Sequence, residues 1–377
     1  MKDMQINIKK TVTSEDFSRL RESWNALLAS SPMDSFFLRW EWLWSWWDAY
    51  RTDKCELCIL LISRGEDIIG IAPFYLTEIS WKSLYTIRRL MFLGTKGKNV
   101  ISEYMDIICR SGEEEVVFRE IFSFIEKENL CDDMCLHKVD TSSGSLHFFE
   151  RLCAEYKYQY IIKNMGVSPY VRLPENHDLF MDSLSGTMRH NIKSSKKRLY
   201  KYDNIVFRKT SGVSELGTDF KELVRLHQWR WQSRNLPGSF SGCFYSFQET
   251  VLKELLLNGN LELVFLSVSG KNIAVLYNIK YKKKIYYYQG GLDISFDKRL
   301  SPGLLLHSYC IEKAILDKIN EYDFLYMGQM DGYKKRWTDQ YRKLCDVSVT
   351  RSGILKIAKD IKTKADKLLS NNETAPA

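Results

Sequence analysis

No stretch of this 377-residue chain is apolar for long enough to span a membrane or to serve as a secretory leader. The longest apolar runs, such as Cys58 to Ile62, have the length of a strand, and the opening residues MKDMQINIKKTVTSED are polar. A cytoplasmic chain is expected on these grounds. Cysteine lacks a useful pattern: the nine residues are scattered, odd in number and mostly set in apolar segments, which fits reduced core thiols better than a disulfide framework. Cys55 and Cys58 form a Cys-x-x-Cys, but CELCILLI reads as a strand with no second Cys or His pair at zinc spacing, so no metal is expected. Also missing are a complete P-loop, a helix-turn-helix, a zinc finger, an aromatic RNA-binding signature and a sustained heptad pattern, which leaves nucleic acid as the weakest partner class.

What is present is the material of a large globular protein. Hydrophobic residues make up 45% and aromatics 13%, enough to fill two or three domain cores, and a net charge of +8 favours an anionic ligand or surface. Ser14 to Ala29 has the periodicity of a helix with Ser14 as N-cap. Next, FFLRWEWLWSWWDAY holds five tryptophans between Trp40 and Trp47, so a helix there is apolar around most of its circumference and must be buried or form a binding wall. Strands are expected at Glu56–Ser63 and Ile68–Thr77 across the turn Arg64-Gly65-Glu66-Asp67, then at Leu90–Leu93, Tyr104–Cys109 and Met134–Val139. Helices are expected at Glu114–Glu128 and Ser145–Tyr156. Gly94-Thr95-Lys96-Gly97-Lys98 is small and basic, and reads as a surface loop.

The second half repeats the first. CELCILLISRGEDIIGIAPFYL from Cys55 resembles LELVFLSVSGKNIAVLYNIKY from Leu261, and each follows a Trp-containing helical segment. A spacing of about two hundred residues is a domain repeat, not a solenoid. Two related α/β domains in tandem are inferred, 1–168 and 169–350, followed by a basic amphipathic stretch and tail at 351–377.

Ile285 to Trp337 carries the chemistry. It reads as an aromatic strand, a basic loop, an amphipathic helix, a second strand and a Tyr-Lys-Lys-Arg-Trp turn, which is a βαβ unit. Ser301 and Pro302 suit the N-cap and first turn of a helix reaching about Lys318, whose free N–H groups point back into the loop. With Lys298 and Arg299 for charge and Gly303 for close approach, a phosphate or pyrophosphate is the expected ligand. A second basic element, TMRHNIKSSKKRLYKY at 187–202, places Met188, Ile192, Ser195 and Leu199 on one helix face and cations over the rest. A solvated face, a clamp on a phosphorylated substrate and a nucleic-acid contact are its three readings.

The segments FFLRWEWLWSWW, MRHNIKSSKKRL, LHQWRW with LPGSF, YYYQGGLD, LSPGLLLH, and YDFLYMG with YKKRW together resemble the CelD-like acyltransferases of the GNAT (N-acetyltransferase) superfamily, relatives of the Fem aminoacyltransferases. The likeness runs from about Phe36 to Val349. It implies tandem GNAT-like domains, each a mixed, mostly antiparallel sheet flanked by helices. It further implies an acyl-CoA donor, acetyl-CoA first, with its pyrophosphate at Arg299, Ser301 and Gly303 and with Tyr288 and Gly291 alongside. The family's Gln/Arg-x-x-Gly-x-Gly/Ala loop is matched loosely: Arg299 precedes Gly303 by one residue more, and Leu305 stands where a small residue is usual. Fem relatives use aminoacyl-tRNA instead. By the same comparison Arg189, Asn191, Lys193, Trp231, Lys334 and Trp337 become acceptor contacts, Lys334 and Trp337 alternatively closing the site or holding the strand end, and the acceptor is an amino sugar or other envelope saccharide precursor.

Acyl transfer needs a proton acceptor for the attacking amine or hydroxyl, a stabilised carbonyl oxygen and a leaving group that takes a proton. Candidates are Asp323, His227, His307 and Tyr333, with a buried core histidine as the competing reading of His307 and aromatic strand packing that of Tyr288. GILKIAKDIKTKADKLL near the C-terminus is expected to dock on the body or to lie on the inner membrane surface. An aminoacyl-tRNA-dependent transferase and a non-catalytic module for anionic ligands are the alternative functions.

Overall fold

The computed structural model describes residues 5–351 apart from 82–84, 97–98, 234, 294 and 328–331; the basic stretch expected near the C-terminus, together with Gly97 and Lys98, lies outside the described residues. In chain order the elements are β1 (Ile6–Thr11), α1 (Ser14–Ser18), α2 (Arg21–Ser30), α3 (Trp40–Tyr50), β2 (Cys55–Arg64), β3 (Asp67–Trp81), β4 (Tyr85–Phe92), β5 (Thr95–Lys96), β6 (Asn99–Val100) and β7 (Ile108–Cys109). There follow α4 (Glu114–Lys127), β8 (Asp133–Asp140), α5 (Ser145–Glu155), β9 (Gln159–Arg172), α6 (His177–Ser183), α7 (Gly186–Leu199), β10 (Val206–Lys209), α8 (Val213–Gln232) and α9 (Gly242–Leu257). The last are β11 (Leu261–Val268), β12 (Lys271–Tyr281), β13 (Lys284–Leu292), α10 (Pro302–Leu316), β14 (Glu321–Asp323) and β15 (Tyr341–Thr350).

These elements form two compact units. Among the described residues, one holds 5–47, Arg51–Met165 and 344–351; the other holds Asp48–Tyr50 and Gly166–Lys343. In the first unit the strand order is β1-β2-β3-β4-β8-β15, with β7 on the flank of β3. Every pairing there is antiparallel except β4 with β8, which is parallel because helix α4 carries the chain back across the sheet. Helix α4 turns Val117, Phe118, Ile121, Phe122 and Ile125 into the core, the stripe of an amphipathic helix laid on a sheet. Trp24, Trp40, Trp42 and Trp47 pack in the same unit, and each indole N–H finds an oxygen: Leu38 O, Phe17 O, Ser102 Oγ and Ser14 Oγ at 2.7, 2.9, 2.9 and 3.1 Å. The tryptophan-rich segment is therefore core, with these four indole nitrogens satisfied.

Two expectations change here. The first helix is broken into α1 and α2, and Thr13, not Ser14, caps it by accepting from Asp16 N at 3.1 Å. Only Ile108–Cys109 of the expected strand at 104–109 is extended. Tyr104 has φ +53°, and the buried Asp106 carboxylate accepts from Ile107 N and Ser143 Oγ, so local hydrogen bonding to a side chain displaces the ladder.

In the second unit the order is β9-β14-β13-β12-β11-β10, the residues of β9 from Gly166 taking part. Again all pairs are antiparallel but one, β13 with β14, and again a helix, α10, makes the crossover. Hairpin β2–β3 of one unit and β11–β12 of the other carry the repeated sequence. Each unit is thus a mixed, mostly antiparallel sheet flanked by helices. The second core gathers the apolar faces of α7 (Met188, Ile192, Leu199) and α10 (Leu305, Leu306, Ile311) against β11–β13.

Candidate active site

Strand β13 pairs with β14 only as far as Tyr286, opposite Asp323. Beyond that point β13 keeps β12 on one side, and a cleft of about 580 Å³ opens on the other, lined by residues of α7, α8, β13, α10 and the segment 297–304. Gly290 and Tyr287 are on its wall, and a bulge explains why: Tyr277 faces Gln289 but Asn278 faces Tyr287, so Tyr288 is the extra residue of β13. Tyr288 accepts from Gln248 Nε2 at 3.5 Å and lies edge-on to Tyr277, away from the cleft lining.

The loop between β13 and α10 is held by its own acid. Asp297 accepts from Arg198 Nε (2.6 Å), Tyr202 Oη (3.0 Å) and Arg299 N (2.9 Å). The Arg198 hydrogen bond and the Arg299 N–H keep its carboxyl low, at about 2. Asp293 is likewise neutralised, by Lys271 Nζ at 2.6 Å. With both acids paired, the cations on the lining, Arg230, Lys298, Arg299 and Arg336, set the sign of the cleft. Arg299 remains largely exposed, 78% for its side chain.

Helix α10 begins at Pro302 with Ser301 as N-cap, and no side chain caps it. The first helical bond runs from Leu305 N to Ser301 O. Its opening N–H groups therefore face the cleft beside Ser301 and Gly303, where a Cβ would come within 3.2 Å of Leu292. Leu305 is buried in the core and does not line the cleft.

Of the four acid–base candidates the cleft brings two together. His307, one turn into α10, is buried, and the Tyr287, Phe324, Tyr333 and Trp337 rings surround it, the Tyr287 ring edge-on at 4.5 Å. Tyr322 Oη donates to Asn278 Oδ1 and lies 3.0 Å from His307 Nδ1, so Nδ1–H donates to Tyr322 and the lone pair is left on Nε2. Burial, and then the charges of Lys334 and Arg230, push the imidazole down to about 3, so it stays neutral. Tyr333 lies across from it with Tyr287 and Arg230 as hydroxyl partners, and burial raises its pKa well above the usual range. It is a proton donor at neutral pH.

His227 and Asp323 do not line the cleft. His227 Nδ1 donates to Gly290 O at 3.1 Å while Nε2 accepts from Ser239 N at 3.2 Å, which occupies both nitrogens in tying α8 to β13. Burial brings its pKa down to about 4. Gly291 is the reason the helix can come so close: a Cβ there would lie 2.5 Å from His227 N and 2.6 Å from Leu226 Cβ. Asp323 is buried, accepting from Leu325 N at 2.8 Å and facing Arg342 at 3.4 Å.

The acceptor candidates divide as well. Asn191 and Trp337 line the cleft, whereas Lys193 is exposed outside the lining and Trp231 packs on His227. Arg189 spends its guanidinium on the carbonyls of Asp182 and Leu184, 2.9 and 2.8 Å away, at the end of α6. Lys334 Nζ donates to Phe324 O, Leu325 O and Tyr326 O, and so holds the strand end where Leu325 takes φ +57°. Sequence patterns missed Arg230, Tyr287, Asp297 and Arg336. LHQWRW did contain Arg230, one helical turn from His227.

The acetyltransferase (GNAT) domain family matches residues 186–335, the segment that builds this cleft. No curated protein matches. Among solved structures, FemX superposes with a TM-score of 0.59 at 12% identity, covering 91% of this chain and 97% of that one. L-PGS from Bacillus licheniformis gives 0.53 at 11% identity over 91% and 95%. A conserved protein of unknown function from Bacteroides thetaiotaomicron gives 0.53 at 12% over 92% and 100%. At such identities the likeness is one of fold. Residues 186–335 are a GNAT-type acetyltransferase domain, and among the described residues no helix is long and apolar enough to cross a membrane.

Proposed function

We propose that this protein is an acyl-CoA-dependent acyltransferase that moves an acetyl or similar group onto an amine or hydroxyl of a saccharide or cell-envelope precursor. The observation that carries the reading is the uncapped start of α10 opening onto a cationic cleft whose two acids are already paired. Such a site matches the pyrophosphate of CoA: helix N–H groups take its oxygens, and Arg299 and Lys298 its charge. The thioester then extends toward the aromatic end of the cleft, where His307 Nε2 accepts a hydrogen bond from the attacking group and Tyr333 Oη donates to the departing thiolate. His307 is too weak a base to deprotonate an ammonium ion. Its part is to orient a neutral nucleophile and to receive the proton once the acyl bond has formed and the nitrogen has become acidic. Asn191 on α7 is placed for the acceptor.

The fold shared with FemX supports a second reading, in which an aminoacyl-tRNA presents its phosphate to the same loop. Calorimetric titration with acetyl-CoA, desulfo-CoA and free tRNA separates the two. Saturable CoA binding, weakened about tenfold in Arg299→Ala, is the expected result. Binding of tRNA without any response to CoA would move the aminoacyl reading ahead, and binding of neither would overturn both.

A further inference from the structure

The first unit holds a second group of reactive side chains that acyl transfer does not use. Cys135 and His137 stand two residues apart on β8 and so share one face of the sheet. Asp346 reaches the same face from β15 through a bulge: Cys345 pairs with Val139 and Val347 with Leu136, so His137 and Lys138 together oppose the single residue Asp346. Lys138 adopts φ +61° there although it is not glycine, and it is buried. The bulge aims the Asp346 carboxylate: Oδ1 accepts from Lys138 N at 3.1 Å, and Oδ2 lies 2.8 Å from His137 Nδ1. On the far side of the ring, Nε2 is 3.4 Å from Cys135 Sγ. Thiol, imidazole and carboxylate are in line, the last fixing the tautomer that leaves Nε2 to take the thiol proton.

The surroundings favour that transfer. Burial pulls the imidazole pKa down, but the hydrogen bonds to Asp346 and Cys135 outweigh it and push the group up to about 9. Arg89 on β4, held by Asp133, attracts a negative charge on the thiol from the neighbouring strand, while Lys138 bears on Asp346 from β8. A bulge needing only an acceptor for its N–H would be served by Asp346 alone; the histidine and the partly exposed thiol are additional. By contrast Cys58, Cys109, Cys131, Cys153, Cys310 and Cys345 are buried.

We propose that Cys135 is an activated thiol and a site of reversible thiolation by small disulfides. Cys135 gives its proton to His137 Nε2, and the thiolate attacks one sulfur of the disulfide. The new S–S bond forms as the old one breaks, and the departing thiolate takes the proton back from His137. One disulfide and one thiol enter and one of each leave, so no outside oxidant is needed. Its half-buried position admits a small linear disulfide to the sheet face.

The test treats the full chain with a dipyridyl disulfide and follows each cysteine peptide by mass spectrometry, with the exposed Cys243 as internal reference. Cys135 is expected to react at least ~10-fold faster than Cys243 at neutral pH, and His137→Gln to abolish that advantage without altering the Cys243 rate. Asp346→Asn, which keeps the shape but not the charge, is expected to give an intermediate rate. Wild-type protein supplies a readout that requires no variant: between pH 8 and pH 6 an ordinary thiol slows by roughly 75-fold, whereas Cys135 is expected to slow by less than about tenfold. A Cys135 rate no greater than that of Cys243, or a fall of the ordinary size with pH, would overturn the proposal.

Discussion

Acidification should unfold the GNAT-type unit through His227 and His307. Both are buried and neutral, with pKa values lowered by burial to about 4 and about 3, whereas an unfolded histidine titrates near 6.5. Between these limits the unfolded chain binds protons that the folded chain refuses, so stability is fully present above pH 6.5 and falls with pH below it. From pH 7 to pH 5 each histidine contributes a loss of about 2 kcal/mol, or about 4 kcal/mol for the pair. With a urea slope of about 2 kcal/mol per molar, the midpoint should drop by about 2 M. His307→Gln, whose amide can still donate to Tyr322 Oη, should cost stability at pH 7 yet remove about half of the pH dependence. Urea titrations of wild type, His227→Gln and His307→Gln at both pH values make the comparison, and proton NMR of the six histidine rings gives the titrations directly. An unchanged slope in His307→Gln, or two ring signals titrating near 6.5 in place of the depressed pair, would refute the argument.

Other outcomes follow from the same geometry. His137 has the opposite sign: its pKa is raised to about 9, so its stabilisation is complete below pH 6.5 and is lost as pH rises through 9, which thermal melts of wild type and His137→Gln at pH 6.5 and pH 9 will compare. Gly291→Ala should lower stability by about 3 kcal/mol, or roughly 10 °C in Tm, because the added methyl meets the backbone of α8 and no side chain can yield. Arg299→Ala should weaken CoA binding about tenfold while leaving Tm within about 1 °C, as its side chain is exposed. Asp323→Asn should be felt in stability more than in turnover, since its carboxylate is engaged by Leu325 N and Arg342; measured kcat at a temperature well below Tm makes the distinction.

Much of the fold was legible because long periodic segments leave little choice. The repeated Glu-Leu hairpins, the α10 start at Ser301-Pro302 and the basic helix all lie where periodicity and capping residues put them. Two of the misses share a cause, an irregularity in the ladder. The family resemblance implies Tyr288 beside the donor, but a bulge at that residue puts Tyr287 on the cleft lining. The bulge at Lys138 likewise joins Asp346 to His137 across about two hundred residues of chain, a pairing invisible to local pattern. The family comparison puts Arg189 at the acceptor and gives Lys334 either that place or the strand end. Each binds backbone carbonyls, Arg189 at the end of α6 and Lys334 just past β14, where the last oxygens of an element lack partners within it.

Helix α7 and the loop before α10 share a fastening. Arg198 and Tyr202 grip Asp297, and the same helix carries Asn191, Ser194 and Ser195 to the wall of the cleft. The acid that shapes the loop before α10 is thus answered by a residue about one hundred positions earlier. Grafting this loop alone onto another scaffold would leave Asp297 as an uncompensated negative charge where the proposed donor binds, so the transplantable piece is the helix and the loop together.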